Sequence, residues 1–249
     1  MVWQHDSIRA KGFDINYINP FIFFRPVEFS MGSADNAFMG FNISAKINSH
    51  HSIYAQLLID DLNVKLLKSK PGYYGNKFAG QFGYKATEPF KVKNLFFLTE
   101  INAATPYTYQ HRSRITNYAH YNMELAHPLG ANFLEHVVIL QYQYKRFHVM
   151  GKNTYAETGR DTGNVNFGSD VFKSYYSPYL LTGNKFLQGN RTRIIQPQLI
   201  LSYIVNPSYS LRAFFSVAAR MYSDINQSNR SMFISFGIKT DIGNFYSDF

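Results

Sequence analysis

The segment PYTYQHRSRITNYAHYNMELAHPLGANF, residues 106–133, lies between two runs in which apolar and polar residues alternate. It is too long and too polar for a turn inside a compact soluble domain, and structureless connections of this length usually carry function. It holds three of the chain's eight histidines (His111, His120, His127), the tyrosines Tyr107, Tyr109, Tyr118 and Tyr121, and the basic pair Arg112 and Arg114. The flanking runs decide what it connects. Before it, Leu95, Phe97, Thr99 and Ile101 alternate with Phe96, Leu98, Glu100 and Asn102; after it, Val138, Leu140, Tyr142 and Tyr144 stand opposite Gln141 and Gln143. A period of two is the signature of a strand with two unlike faces. The segment therefore reads as a large loop between two antiparallel strands.

The same period recurs outward in both directions. Towards the N-terminus it predicts strands over 37–47, 52–60, 77–85 and 94–102; towards the C-terminus over 135–144, 147–155, 193–203, 211–221 and 231–239. Pro197 weakens the seventh, because a proline cannot donate to a ladder. Connections between these nine run short, long, short, long, short, long, short, medium, with a second long insertion at 157–191. Tight turns on one rim and long loops on the other are the pattern of a transmembrane β-barrel, and strands of about nine to eleven residues suit a tilted bilayer crossing. The alternative is a soluble sandwich or lipocalin-like barrel, whose apolar faces would point inward and whose connections need not alternate in length. The chain thus reads as all-β: an antiparallel transmembrane barrel portion of nine or ten strands, one domain over 1–249. Met39, Phe41, Ile43, Leu57, Phe82, Phe97, Leu140, Phe215, Ile234 and Phe236 are expected to face outward. Lys46, Lys77, Lys85, Arg212, Arg220 and Lys239 are expected to project into a hydrated lumen, where Asp60 or Glu100 can pair with them.

Composition agrees and narrows the functional classes. Aromatic residues make up 17% and charged residues 16%, with no cysteine, so neither a disulfide framework nor a thiolate metal site is available. No apolar run reaches the roughly 18 to 20 residues of a membrane helix. The net charge of +9 favours polyanions such as acidic polysaccharide or lipopolysaccharide phosphate, but the basic residues are scattered, so nucleic acid is not an expected partner. The first residues lack the basic and apolar regions of a signal peptide. Nine strands ending on the turn side require a beginning on the loop side, whereas single-chain barrels have even strand numbers. Both observations read as the C-terminal portion of a longer barrel, unless residues 17–24 supply a tenth strand.

The blocks GFDINYINPFIFFRPVEFSMGSADNAFMGFN (12–42), YAQLLIDD (54–61), NKFAGQFGYK (76–85) and the loop at 106–133 resemble, in order, the capsule-assembly (Wzi-type) family of Gram-negative outer-membrane proteins. The resemblance covers nearly the whole chain and corresponds to the C-terminal half of such a protein. It implies a monomeric barrel of around eighteen strands, seated in outer-membrane lipid and holding capsular or another surface polysaccharide; some relatives serve gliding motility instead.

Loop chemistry fits sugar. Flat aromatic rings stack on pyranose faces, while Arg can pair bidentately with a uronate carboxylate. The expected polysaccharide-binding residues are Arg25, Glu28, Asp35 and Asn36 at the outer mouth, and Tyr107, Tyr109, His111, Arg112, Arg114, Tyr118, His120 and Tyr121 in the loop. The bland alternative is a loop folded inward as a plug. The three loop histidines are spaced nine and seven residues apart, not as a preformed metal site requires, so neither metal nor cofactor is expected. No Gly-x-Ser-x-Gly elbow or other catalytic signature appears, and no enzyme is expected. A porin-like channel is the competing non-enzymatic function.

Overall fold

The computed structural model describes residues 38–240. Nine strands form one antiparallel sheet: β1 (Met39–Lys46), β2 (His51–Asp61), β3 (Lys77–Thr87), β4 (Leu95–Ala104), β7 (Phe133–Tyr144), β8 (Phe147–Arg160), β9 (Asn190–Asn206), β10 (Leu211–Ser223) and β11 (Ser228–Lys239). Each is hydrogen-bonded to its neighbour in the chain, so the sheet is an up-and-down meander. Two short strands, β5 (Ala119–His120) and β6 (Met123–Glu124), make a separate hairpin within the first long loop, and a helix α1 (Val64–Ser69) interrupts the connection from β2 to β3. All nine strands read from the period of two are present. Residues 17–24, the candidate tenth strand, lie outside the described residues. Among the described residues β1 and β11 are not paired with each other, so no closed barrel is seen within this span.

Strand ends differ from the sequence reading where pairing, rather than side-chain pattern, sets them. β8 continues through Thr158, Gly159 and Arg160 because these pair with Thr192, Arg191 and Asn190. The second insertion is therefore 161–189, shorter than 157–191. Pro197 sits inside β9 after all. Its ladder to β8 is unbroken, with Asn153 opposite, but the β9–β10 pairing skips Ala219 and Arg220 between Ala218–Gln198 and Met221–Ile195. The proline is accommodated by a local gap on the one side where its missing N–H would be needed.

The two faces of the sheet have inverted burial. Phe41, Ile43, Leu57, Phe82, Leu140, Phe215 and Ile234 are exposed, and Phe236 is 83% exposed; of the ten residues expected to face outward only Phe97 is half-buried. On the opposite face Asp60, Lys77, Asn102, Thr154, Ser202 and Ser216 are buried. Tyr54 lies over Gly83 on this polar face, where a Cβ would strike its ring, and its hydroxyl donates to Glu100. Among the described residues the buried apolar cluster lies at the long-loop end. There Ala79, Ala104 and Phe133 from the strand ends meet Tyr109, Ala131 and Val171 from the loops.

Candidate functional site

The connections on the long-loop rim, 62–76, 105–132 and 161–189, interlock into one cap over the polar face. Its foundation is a buried ion pair. Lys77 Nζ stands 3.6 Å from Asp60 Oδ2, both side chains 1% exposed, and donates to the Gln110 carbonyl at 2.8 Å. The other side of the pair also grips the loop, since the Tyr109 amide donates to Asp60 Oδ2 at 2.8 Å. Of the cations expected to line the lumen, Lys77 has the carboxylate partner anticipated for it. Glu100 instead accepts from Tyr54 and Asn102, and Lys85 lies over the Tyr54 ring.

Loop 105–132 is then fastened to loop 161–189. Gln110 and Asn166 exchange reciprocal amide hydrogen bonds of 3.2 Å, and Gln110 Nε2 also donates to the Asp170 carbonyl. Asn117 donates to the Val171 carbonyl, and the Tyr107 amide to Gly168 at 2.9 Å. Gly168, at φ +90°, lies so close to Pro106 and Tyr107 that a Cβ would collide with them. Asn132 closes the far end: its Nδ2 donates to the carbonyls of Gly159 and Gln188, and its Oδ1 accepts from the Leu187 amide. Loop 62–76 joins through Asn184, which bonds Gly72 from both backbone and side chain.

This arrangement divides the residues expected to bind sugar. Tyr107 is fully buried; its hydroxyl donates towards Asn166 O and Asn184 Oδ1 and accepts from the Tyr179 amide and Gln188. Tyr109 is buried against Phe38 and Tyr118. Burial holds the phenols of Tyr107, Tyr109 and Tyr175 above their ordinary range and pushes that of Tyr74 up to about 12, so these hydroxyls keep their protons. His111 is tied to Thr116 by its ring and to Asn117 by its amide, and Tyr118 packs on Phe38 at 4.8 Å between ring centroids. These four residues, expected at the ligand, are framework of the cap. His127 likewise pairs with Glu135 at 3.0 Å and stacks on Phe133. Arg25, Glu28, Asp35 and Asn36 lie outside the described residues.

Arg112, Arg114, His120 and Tyr121 face solvent. His120 ends β5, and Tyr121 with Asn122 forms the two-residue turn to β6, at φ 46° and 60°. Two positive φ values in succession mark a type I′ hairpin turn, a conformation that costs a tyrosine about 1 kcal/mol. Tyr121 is nevertheless 86% exposed, edge-on to His120 at 4.3 Å, with Met123 and Leu125 exposed beside it. A strained, solvent-facing aromatic at a hairpin tip is a feature that packing does not explain. The alternation over 118–125 was the available sequence signal for this hairpin.

A second cluster was not anticipated. Glu157, 7% exposed, accepts from Arg191 and Arg193 on the neighbouring strand, and Tyr155 adds a further donor. Together with loop 161–189 and the turn at 224–227, these arginines line a cavity of about 1100 Å³. Side chains two apart share a face, but only the β8–β9 register brings Glu157 opposite Arg193. Among the described residues no group of three or more acidic, histidine or cysteine side chains is placed to hold a metal. No protein-family model, curated protein or solved structure matches the chain.

Proposed function

We propose that this chain forms part of a β-barrel of the Gram-negative outer membrane whose interlocked loops present a binding surface for capsular or other surface polysaccharide. The inverted sheet carries the reading. Each of the nine successive strands exposes at least one large apolar side chain on this face, which is unfavourable against water at about 25 cal/mol per Å² and favourable against lipid. Tyr144, Phe147 and Tyr203, cross-strand neighbours on that face near the short turns, supply the aromatic girdle such barrels carry at an interface. The resemblance of residues 12–133 to the capsule-assembly family points the same way.

The cap supports a holding role over a conducting one. Its buried, hydrogen-bonded amides and tyrosines lie across the long-loop end of the polar face, while Arg112, Arg114, His120 and Tyr121 remain available for stacking and charge-assisted contacts with an acidic sugar. Binding of capsular polysaccharide to the full chain in detergent, with planar-bilayer conductance measured in parallel, tests this. Saccharide binding that falls when Tyr121 and His120 become alanine sustains the proposal; steady ion current without saccharide binding replaces it with a porin-like channel.

A further inference from the structure

The outward face of β9 to β11 changes chemistry abruptly near the long-loop rim. On β9 the apolar column Tyr203, Leu201, Leu199, Ile195 gives way to Arg193 and then Arg191; on β11, Phe236, Ile234 and Met232 give way to Arg230. The pairings Ile195–Met221–Arg230 and Arg193–Ser223–Ser228 place Arg230 one step below Arg193, two strands away on the same face. Glu157, level with Arg193, lies ten residues beyond Phe147 at the short-turn end of β8. At about 3.3 Å per residue and a tilt of about 40°, that is about 25 Å along the membrane normal, the height of the apolar band of such a barrel. On the membrane reading, the arginines therefore stand at the level of the outer-leaflet headgroups.

Arg191 and Arg193 both converge on one carboxylate. The Glu157 carboxylate receives Arg191 Nε at 3.0 Å and Arg193 through Nε at 3.3 Å and Nη2 at 3.2 Å, which fixes both planes side by side. Yet the two arginine side chains remain 63% and 54% exposed. In the cavity above, Lys185 adds a third cation, while Asp224 is consumed by its own turn, accepting from Tyr222, Asn226 and Gln227. Tyr179, Leu180 and the 84% exposed Ile225 complete an amphipathic wall.

We propose that this cavity seats the phosphate-bearing headgroup of an anionic outer-leaflet lipid, with Arg191 and Arg193 taking a phosphate and the acyl chains lying along the Ile195, Leu199 and Leu201 column. Guanidinium forks match phosphate oxygens bidentately. The strand wall decides between occupants: Arg191, Arg193 and Ser223 continue the exposed apolar columns of β9 and β10, whereas the Tyr121 hairpin, where polysaccharide is proposed to bind, is carried by loop 105–132 alone. The inference rests on the membrane reading of the preceding section.

The full chain is refolded into phosphatidylcholine vesicles containing diphosphoryl lipid A or its dephosphorylated form. Flotation scores insertion, and lipid retained after detergent extraction and gel filtration scores binding. Diphosphoryl lipid A is expected to be retained about tenfold over the dephosphorylated form, and Arg191→Gln with Arg193→Gln is expected to lower that retention about tenfold. Glu157→Gln, which removes the competing carboxylate, is expected to raise it, an opposite sign that loss of folding cannot imitate. Equal retention of the two lipids overturns the inference, as does full displacement by millimolar inorganic phosphate, which would mark a site for a soluble anion, or by polyuronate, which would mark a polysaccharide site. Failure to float overturns the membrane reading and this one with it; insertion with equal retention overturns this one alone.

Discussion

The loop cap and the sheet beneath it follow opposite rules. In the cap, aromatic and amide side chains are buried and paired: Tyr107 and Gln110 are both inaccessible, and each makes several hydrogen bonds. On the outward face of the sheet, side chains of greater hydrophobicity are left uncovered, with Phe41 at 61% and Ile43 at 69% exposure. On the proposed membrane reading the two rules answer to two surroundings: the cap meets water and satisfies its polar groups by hydrogen bonding, while the sheet meets lipid, where apolar exposure has no penalty. The contrast also explains why the hydrophobic cluster sits at the strand ends: among the described residues, that is where a second layer, the loops, lies on the sheet.

The largest expected effect tests the foundation of the cap. Lys77→Ala strands a buried Asp60 charge and releases the Gln110 carbonyl, and is expected to cost about 3–5 kcal/mol in denaturant unfolding from detergent micelles. A cost below about 1 kcal/mol would mean the cap is not the tightly packed region. Next comes the sheet. Leu199→Arg, in the middle of an exposed apolar column, is expected to cost about 2–4 kcal/mol in lipid vesicles, whereas Gln196→Arg on the opposite face changes stability by no more than about 0.5 kcal/mol. Equal effects at the two positions would abolish the distinction between the faces.

Smaller effects sharpen the picture of the cap. Asn132→Ala removes three contacts that join β8, loop 105–132 and loop 161–189, and is expected to cost about 1–3 kcal/mol while opening residues 161–189 to limited proteolysis. Unchanged proteolysis would show that the loops hold without this latch. The smallest change carries the opposite sign. Tyr121→Gly relieves a left-handed backbone and is expected to stabilise the hairpin by about 1 kcal/mol, yet to weaken polysaccharide binding several-fold. A variant that binds as before would remove Tyr121 from the proposed surface.

Legibility tracked the range of the interactions involved. Strand existence, strand direction and the division of residues between an exposed apolar and a polar face were readable because a period of two is local, and each side chain declares its face by its neighbours two positions away. The extent of β8 and β9 was not, since Thr158 to Arg160 carry no alternating pattern and are strand only because Asn190 to Thr192 lie opposite. The loop at 106–133 was recognisable as an unusual element, but its eight candidate residues could not be sorted by type. Tyr107 and Tyr121 are the same amino acid in the same loop; one is a buried girder and the other an exposed tip, because loop 161–189, more than forty residues away in the chain, covers the first and not the second. Glu157, Arg191 and Arg193 show the same limit, as their meeting depends on a register between strands separated by a long loop. Sequence by itself determined the all-β meander and the two chemistries of its faces, because these follow from the spacing of residues along one strand. Only the tertiary structure decided which loop residues are framework, which are surface, and which charges converge, because those outcomes depend on contacts that no local pattern encodes.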